Sequence, residues 1–417
     1  MGKAAARRTS SGMENFIWNA VGGMLNAGQS VFLLIVITRV CGLQAAGIFS
    51  IAFATGNLFL YLGNYGVRNY QVSDLEEKYS FEDYLQHRLV TVAMMLAASW
   101  GYVAWSAGRG EYSAYKTACV YAMCLLKAVD CLEEVFEGRY QQKGRLDQSG
   151  KLVVARLVVS IGGMMAVLAV TGDLLAATSC GVVLAAVTSL VMIRRFRKTA
   201  GTVRMTAFRA QKIWGLLREC LPVCAVNFLS FYLINEPKYA IDAVMDETAQ
   251  ACYNFIAMPV FVIQLLNMFL YQPMLISMTE DWEGGRRKAF AEGIGKIVGA
   301  LLLVSVPILV AAWVMGIPVL SWLYSTDLTA YRTELMLILT GGIFLAFNGF
   351  CAAVLTITRA QNRIPLAYLA GMFLSVQLTP QMVAKGGIRG AVAAFVAVMA
   401  AVSTLLAGLL VCVLRKK

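Results

Sequence analysis

Twelve apolar stretches, each near the ~20 residues that a helix needs to cross roughly 30 Å of hydrocarbon, constrain this chain more than anything else in it. They run approximately over 16–38, 45–65, 89–107, 113–136, 152–171, 173–192, 214–234, 249–277, 291–314, 334–357, 365–384 and 390–412. With 59% hydrophobic and 14% charged residues, and a mean hydropathy of +0.66, the composition is that of a chain dissolved in lipid rather than in water. Lipid offers no hydrogen bonds, so each stretch must satisfy its backbone internally, as a helix does. The expectation is an all-α, polytopic membrane protein with about twelve transmembrane helices. The least sharp boundaries are the fifth-to-sixth connection, little more than Gly172-Asp173, and the eleventh stretch, which contains Pro380.

Lys and Arg concentrate in cytoplasmic loops of membrane proteins. If the N-terminus lies inside, the inner connections hold 25 of the 36 Lys and Arg, the outer ones hold six, and five fall within the stretches. Both termini are then cytoplasmic and the protein is multi-pass. The formal charge of +12 follows from this asymmetry and points to no nucleic-acid partner. The apolar run after Lys3, Arg7 and Arg8 is too long for a signal-peptide core, so it reads as a retained first helix. The ten cysteines show no paired metal spacing, and no Gly-rich nucleotide motif is present, so no cofactor is expected.

The basic connection "RRFRKTAGTVRMTAFRAQK" divides the stretches six and six, into a lobe over 1–193, a linker over 194–212 and a lobe over 213–417. The two sides resemble each other weakly. "GRYQQKGR" and "TRAQNR" share a pattern in which Arg139, Gln141 and Lys143 answer to Arg359, Gln361 and Arg363, an offset near 220 residues. Six is even, so the halves have one topology and form a parallel pseudo-repeat.

Against this background the polar residues stand out. In the first stretch, positions 15, 19, 22, 26 and 29 are Asn15, Asn19, Gly22, Asn26 and Gln29. In the second, Gly47, Ser50, Ala54, Asn57, Tyr61, Asn64 and Arg68 follow the same steps of three and four, which keep residues on one helical face. Two readings fit: amides and small residues as glue between helices, or a lining for a water-filled cavity. The fourth stretch places Lys116 and Lys127 on one face, three turns apart, followed by Asp130 and Glu134. Each charge costs at least about 2.5–3.5 kcal/mol in hydrocarbon, so it needs a partner or water. Glu133, Glu134 and Glu137 are near enough to the boundary to be solvated, and Arg156 and Arg218 are placed to snorkel to the cytoplasmic surface. Further on, Asn235, Glu236, Lys238 and Asp242 surround a helix-interrupting Pro237, and the eighth stretch adds Asn254, Gln264, Asn267 and Tyr271. The rest of the second half is more apolar, with Asn348 the main exception.

Three segments in order, "ITRVCGLQAAGIFSIAFATGNLFLYLGNYGVRNYQVSD", "FEGRYQQKGRLDQSGK" and "NEPKYAIDAVMDETAQACYNFIAMPVFVIQLLNMFLYQP", resemble the Wzx-type polysaccharide flippases of the multidrug/oligosaccharidyl-lipid/polysaccharide (MOP) exporter superfamily. The resemblance covers essentially the whole chain, most closely its first 280 residues. It implies two six-helix lobes forming a V around a central cavity, in a bacterial cytoplasmic membrane. It also implies a transporter rather than an enzyme, moving polyprenyl-pyrophosphate-linked oligosaccharides to the outer leaflet by alternating access, beside other membrane proteins of polysaccharide assembly. On that basis Asn19, Asn26, Gln29, Asn57, Asn64, Asn235, Gln264 and Asn267 are candidate sugar contacts, since an amide both donates and accepts. Arg68, Lys127, Arg156, Arg218 and Lys238 are candidate cavity cations for the pyrophosphate, and Lys116 is a further cavity candidate. Membrane potential, Na⁺ or H⁺ are the available drives, with Asp130, Glu134, Glu236 and Asp242 as candidate coupling groups. The rivals are a multidrug and toxin exporter of the same superfamily, disfavoured by a basic, amide-rich interior, a lipid II flippase, and an integral-membrane glycan polymerase or ligase.

Overall fold

The computed structural model describes residues 2–74, 76–201 and 208–416, apart from the side chains of 2–11, 265–269 and 416. It is all-α: no strand occurs among the described residues, and twelve long helices account for most of them. The helical stretch Gly2–Asn64 bends at Gly42, whose φ of 84° and ψ of −178° lie outside the range of a residue with a Cβ, giving α1 (2–41) and α2 (43–64). A short helix, Val67–Ser73, leads to α3 (Phe81–Gly108), α4 (Ala114–Gln142), α5 (Leu146–Thr171) and α6 (Leu174–Arg195). Then come α7 (Ala210–Val244), α8 (Glu247–Glu283) and α9 (287–324), the last passing through a π-helical turn at Ala312–Gly316. α10 (Arg332–Ile357) precedes a second bent stretch, Ile364–Lys416, which turns at Gly387 (φ 55°) into α11 (364–386) and α12 (388–416).

Each of the twelve apolar stretches falls on one of these helices, overhanging it by at most one residue. The tight connection at Gly172-Asp173 is real: Gly172 ends α5 in the left-handed conformation, and the Asp173 carboxylate accepts from the Leu175 N–H to start α6. Pro237, in contrast, does not interrupt its helix. α7 runs from Ala210 to Val244 through it, and neighbouring groups in a membrane bundle can satisfy the one carbonyl a proline frees.

The chain forms two compact units, Met1–Phe228 and Leu229–Lys417. Of the linker 194–212, residues 202–207, with Arg204, lie outside the described residues. The first part of α7 packs on the N-terminal unit: Leu216, Cys220 and Cys224 join Tyr65, Val67, Tyr79, Phe81, Tyr84 and Val135 in one apolar cluster. Ion pairs flank that cluster, with Lys78 on Glu219 at 2.8 Å and Lys212 on Asp83 at 3.1 Å. In the C-terminal unit, Asn348 ties α10 to α12, donating to the Met399 carbonyl and accepting from the Ser403 hydroxyl at 2.7 Å. That amide is packing glue.

The turn 74–80 is organised by Asp74, which accepts from the backbone N–H groups of Lys78 and Tyr79 and from the Tyr84 hydroxyl. Partial burial of its carboxyl raises the pKa, but these donors outweigh it and hold the group below the usual carboxylate range. A depressed carboxylate stabilises the fold above its unfolded pKa, about 3.9 for Asp, and that contribution disappears as pH falls through the lower folded value. Acidification through this range is therefore expected to lower the protection factors of the Lys78 and Tyr79 amides, taken relative to the intrinsic exchange rate at each pH, and Asp74→Asn to remove most of that pH dependence.

Candidate functional site

The N-terminal unit carries an open cavity of about 270 Å³ between α1, α2, α4 and α5, with Asn19 and Asn26 exposed at its edge. Each helix contributes one face. Asn19, Gly22, Asn26 and Gln29 come from α1; Asn57, Leu60 and Asn64 from α2; Lys127, Asp130, Glu134 and Glu137 from α4; and Ser149, Gly150, Val153 and Arg156 from α5. Arg68, just past α2, completes the lining. α1 reaches α5 closely because α5 carries glycine where they meet: a Cβ on Gly150 would lie 2.4 Å from the Trp18 carbonyl carbon and oxygen.

The amides are arranged in sequence. Gln29 donates to the Asn26 carbonyl and side-chain oxygens, both at 2.9 Å, and accepts from Lys127 Nζ at 3.4 Å. Asn57 Nδ2 donates to the Phe53 carbonyl at 2.8 Å. Lys127 Nζ also lies over the Phe53 ring, 4.7 Å from its centre.

The charges form three paired groups. Lys127 binds Asp130 at 3.1 Å; Arg156 binds Asp130 and, at 3.0 Å, Glu133, whose other oxygen accepts from the Ser189 hydroxyl. Arg88 reaches Glu134 at 2.7 Å, the Gly63 carbonyl at 2.7 Å and Asn64 Oδ1 at 3.2 Å. Arg68 pairs with Glu137 at 2.8 Å and with Gln141 at 3.2 Å, and Ser149 donates to the same Glu137 oxygen. Four cations thus face four carboxylates. Burying charge in this way is tolerable because every member is paired and hydrogen-bonded.

Three sequence expectations change here. Arg156 does not snorkel; it is 4% exposed and held by two carboxylates. Glu133 and Glu137 are not solvated but buried, at 1% and 8% exposure, because the faces that carry them turn into the unit. The interior is charge-balanced rather than basic, since α4 supplies a carboxylate for every cation.

Of the candidate residues, the structure gathers Asn19, Asn26, Gln29, Asn57, Asn64, Arg68, Lys127, Arg156, Asp130 and Glu134 at one cavity. Lys116 is buried away from it, with its ammonium 4.7 Å from the centre of the Tyr112 ring, and Arg218 is exposed on α7. The C-terminal unit holds the remaining candidates. Asn235 is buried and donates to the Phe231 carbonyl at 3.1 Å, while Lys238, Asp242 and Gln264 are half-buried. The side chain of Asn267 lies outside the described residues. Glu236 is 3% exposed, with the Ser375 and Thr379 hydroxyls as neighbours and no ion-pair partner among the described residues. Sequence reasoning left Glu137 as a boundary carboxylate and passed over Ser149, Gly150 and Val153, although steps of three and four from Glu134 and Arg156 reach all four.

No protein-family model matches the chain, and no curated protein matches it. Solved structures do. An inward-facing multidrug-resistance MATE transporter of the MOP superfamily superposes with a TM-score of 0.66 over 93% of this chain and 96% of its own, at 13% identity. The lipid II flippase MurJ, inward closed, gives 0.67 over 94% and 86% at 9% identity. The Vibrio cholerae MATE transporter VcmN, in a mutant form, gives 0.62 over 98% of both chains at 13% identity. The fold is that of MOP-superfamily transporters. Identities this low establish the MOP fold alone, and the cavity must be interpreted from its own residues.

Proposed function

We propose that this chain is a flippase for polyprenyl-pyrophosphate-linked oligosaccharides, working by alternating access like the Wzx-type proteins it resembles and feeding surface-polysaccharide assembly. The observation that carries the reading is the cavity between α1, α2, α4 and α5, where five amide side chains and a balanced set of charges line a space within membrane-spanning helices. Helix packing alone needs no such lining, whereas a hydroxyl-rich headgroup crossing the bilayer does. A drug exporter for organic cations would be served by an uncommitted carboxylate in this cavity; instead Asp130, Glu134 and Glu137 each have a cation at hydrogen-bond distance. That pairing favours the glycan reading over the exporter.

The orientation we assign has both termini on the cytoplasmic side of a bacterial cytoplasmic membrane, with other polysaccharide-assembly proteins as partners. No chemical step on the glycan is assigned. Moving one negative charge outward through an inside-negative membrane releases roughly 2.3 kcal/mol per 100 mV, enough to bias the cycle. Glu236, buried without an ion-pair partner among the described residues, is the carboxylate best placed to exchange H⁺ or Na⁺.

The test is translocation of a radiolabelled polyprenyl-pyrophosphate glycan in proteoliposomes, with and without imposed potential, pH or Na⁺ gradients. Rates no higher than those of protein-free liposomes discard the flippase reading. In the same assay, Lys127→Ala and Asn57→Ala are each expected to slow transport at least fivefold with insertion intact. Asp130 keeps Arg156 as a partner when Lys127 is removed, which protects the fold. Normal transport in both variants returns the polar seam to a packing role.

A further inference from the structure

The exposure of the lining groups is uneven, and its pattern bears on which part of a headgroup sits in the cavity. Asp130 shows 11% of its side chain where its partners Lys127 and Arg156 show 1% and 5%, and Glu134 shows 18% where its partner Arg88 shows 0%; Glu137, at 10%, is less exposed than its partner Arg68. At Asp130 and Glu134 the cations therefore stand behind and the carboxylate oxygens in front. Only Arg68, at 27%, offers a positive edge, and Glu137 and Gln141 already hold it. Among the amides, the Asn26 oxygen and Asn57 nitrogen are used within the protein, which leaves Asn26 Nδ2 as a donor, Asn57 Oδ1 as an acceptor, and both ends of Asn19.

We infer that this cavity is an uncharged-sugar subsite from which the pyrophosphate is excluded. The inference rests on the flippase reading and narrows it. A sugar hydroxyl both donates and accepts, so it can give its proton to a forward carboxylate while its oxygen takes a hydrogen from an amide N–H. A phosphate oxygen only accepts. Placed here, it meets carboxylate oxygens first and must displace one of them to reach a cation, with like charges left side by side. Asp130 and Glu134 act as anion filters, and the buried cations hold them in position. The family resemblance implies Lys127, Arg156 and Arg68 as pyrophosphate contacts; in the present inference they hold the carboxylates instead.

The full-length protein in detergent, titrated calorimetrically with inorganic pyrophosphate and with neutral hexose and N-acetylhexosamine disaccharides, tests this directly. At least one neutral disaccharide is expected to bind tenfold or more tightly than pyrophosphate, and Asn57→Ala is expected to weaken it at least fivefold. Glu137→Gln frees Arg68 and is expected to raise pyrophosphate affinity at least tenfold. If that variant does not fold, Arg68→Gln serves instead: it leaves weak pyrophosphate binding unchanged here, and abolishes it if Arg68 is an anion contact. Wild-type protein that binds pyrophosphate as well as any disaccharide, or binds no disaccharide, overturns the inference. So does a Glu137→Gln protein with unchanged pyrophosphate affinity. A failure of lipid flipping in proteoliposomes would remove the transport reading and leave this binding comparison to be decided on its own.

Discussion

Arg156→Ala is expected to destabilise the N-terminal unit by about 3–5 kcal/mol, the usual cost of leaving a buried charge without its partner. The guanidinium is 4% exposed and serves two carboxylates on α4, Asp130 and Glu133. Without it, Asp130 keeps only Lys127, and Glu133 keeps only the Ser189 hydroxyl. Glu133 suffers more, being 1% exposed with no second cation in its hydrogen-bond set. Thermal unfolding in detergent reads the loss, and adding Glu133→Gln to the alanine variant is expected to recover part of it. Arg218→Ala is the comparison: that side chain is exposed on α7, and its removal is expected to stay within about 0.5 kcal/mol. Equal effects of the two substitutions would sink the buried-network account.

Gly150→Ala is the second large effect. A Cβ at Gly150 would sit 2.4 Å from the backbone carbon and oxygen of Trp18 and 2.8 Å from the Asn19 nitrogen. Backbone cannot turn aside as a side chain can, so α1 and α5 must separate, at a cost of about 1–3 kcal/mol. Because Gly150 and Asn19 both line the cavity, the same shift moves its wall, and headgroup binding is expected to fall along with stability. Gly162→Ala, in the same helix with nothing within 4 Å of the added carbon, is expected instead to be neutral or stabilising by about 0.5–1 kcal/mol. The contrast separates close approach from helix propensity.

How far the site could be read from the chain depended on helix periodicity. The seam of Asn19, Gly22, Asn26 and Gln29 turned out to line the cavity because a helix carries steps of three and four onto one face whatever its neighbours do. The same arithmetic extends the face of Lys127 and Asp130 through Glu134 to Glu137. Asn15 is the exception in the first seam. It lies on the right face, yet it is spent on the start of α5, accepting from the Asp147 N–H at 2.7 Å. Periodicity says which way a side chain points and leaves open what waits there. For the same reason Arg156 read as a snorkelling cation and Glu133 as a solvated boundary carboxylate rather than as partners, since their contact joins residues 23 apart in the chain on different helices.

The sequence by itself determined the class, the twelve spans and the polar faces, because lipid forces local hydrogen bonding and local hydrogen bonding follows local composition. Tertiary structure decided the charge balance, which carboxylates stand in front of their cations, and which glycines let two backbones touch. Those are properties of pairs of residues distant along the chain, and only the packed unit brings them within reach of one another.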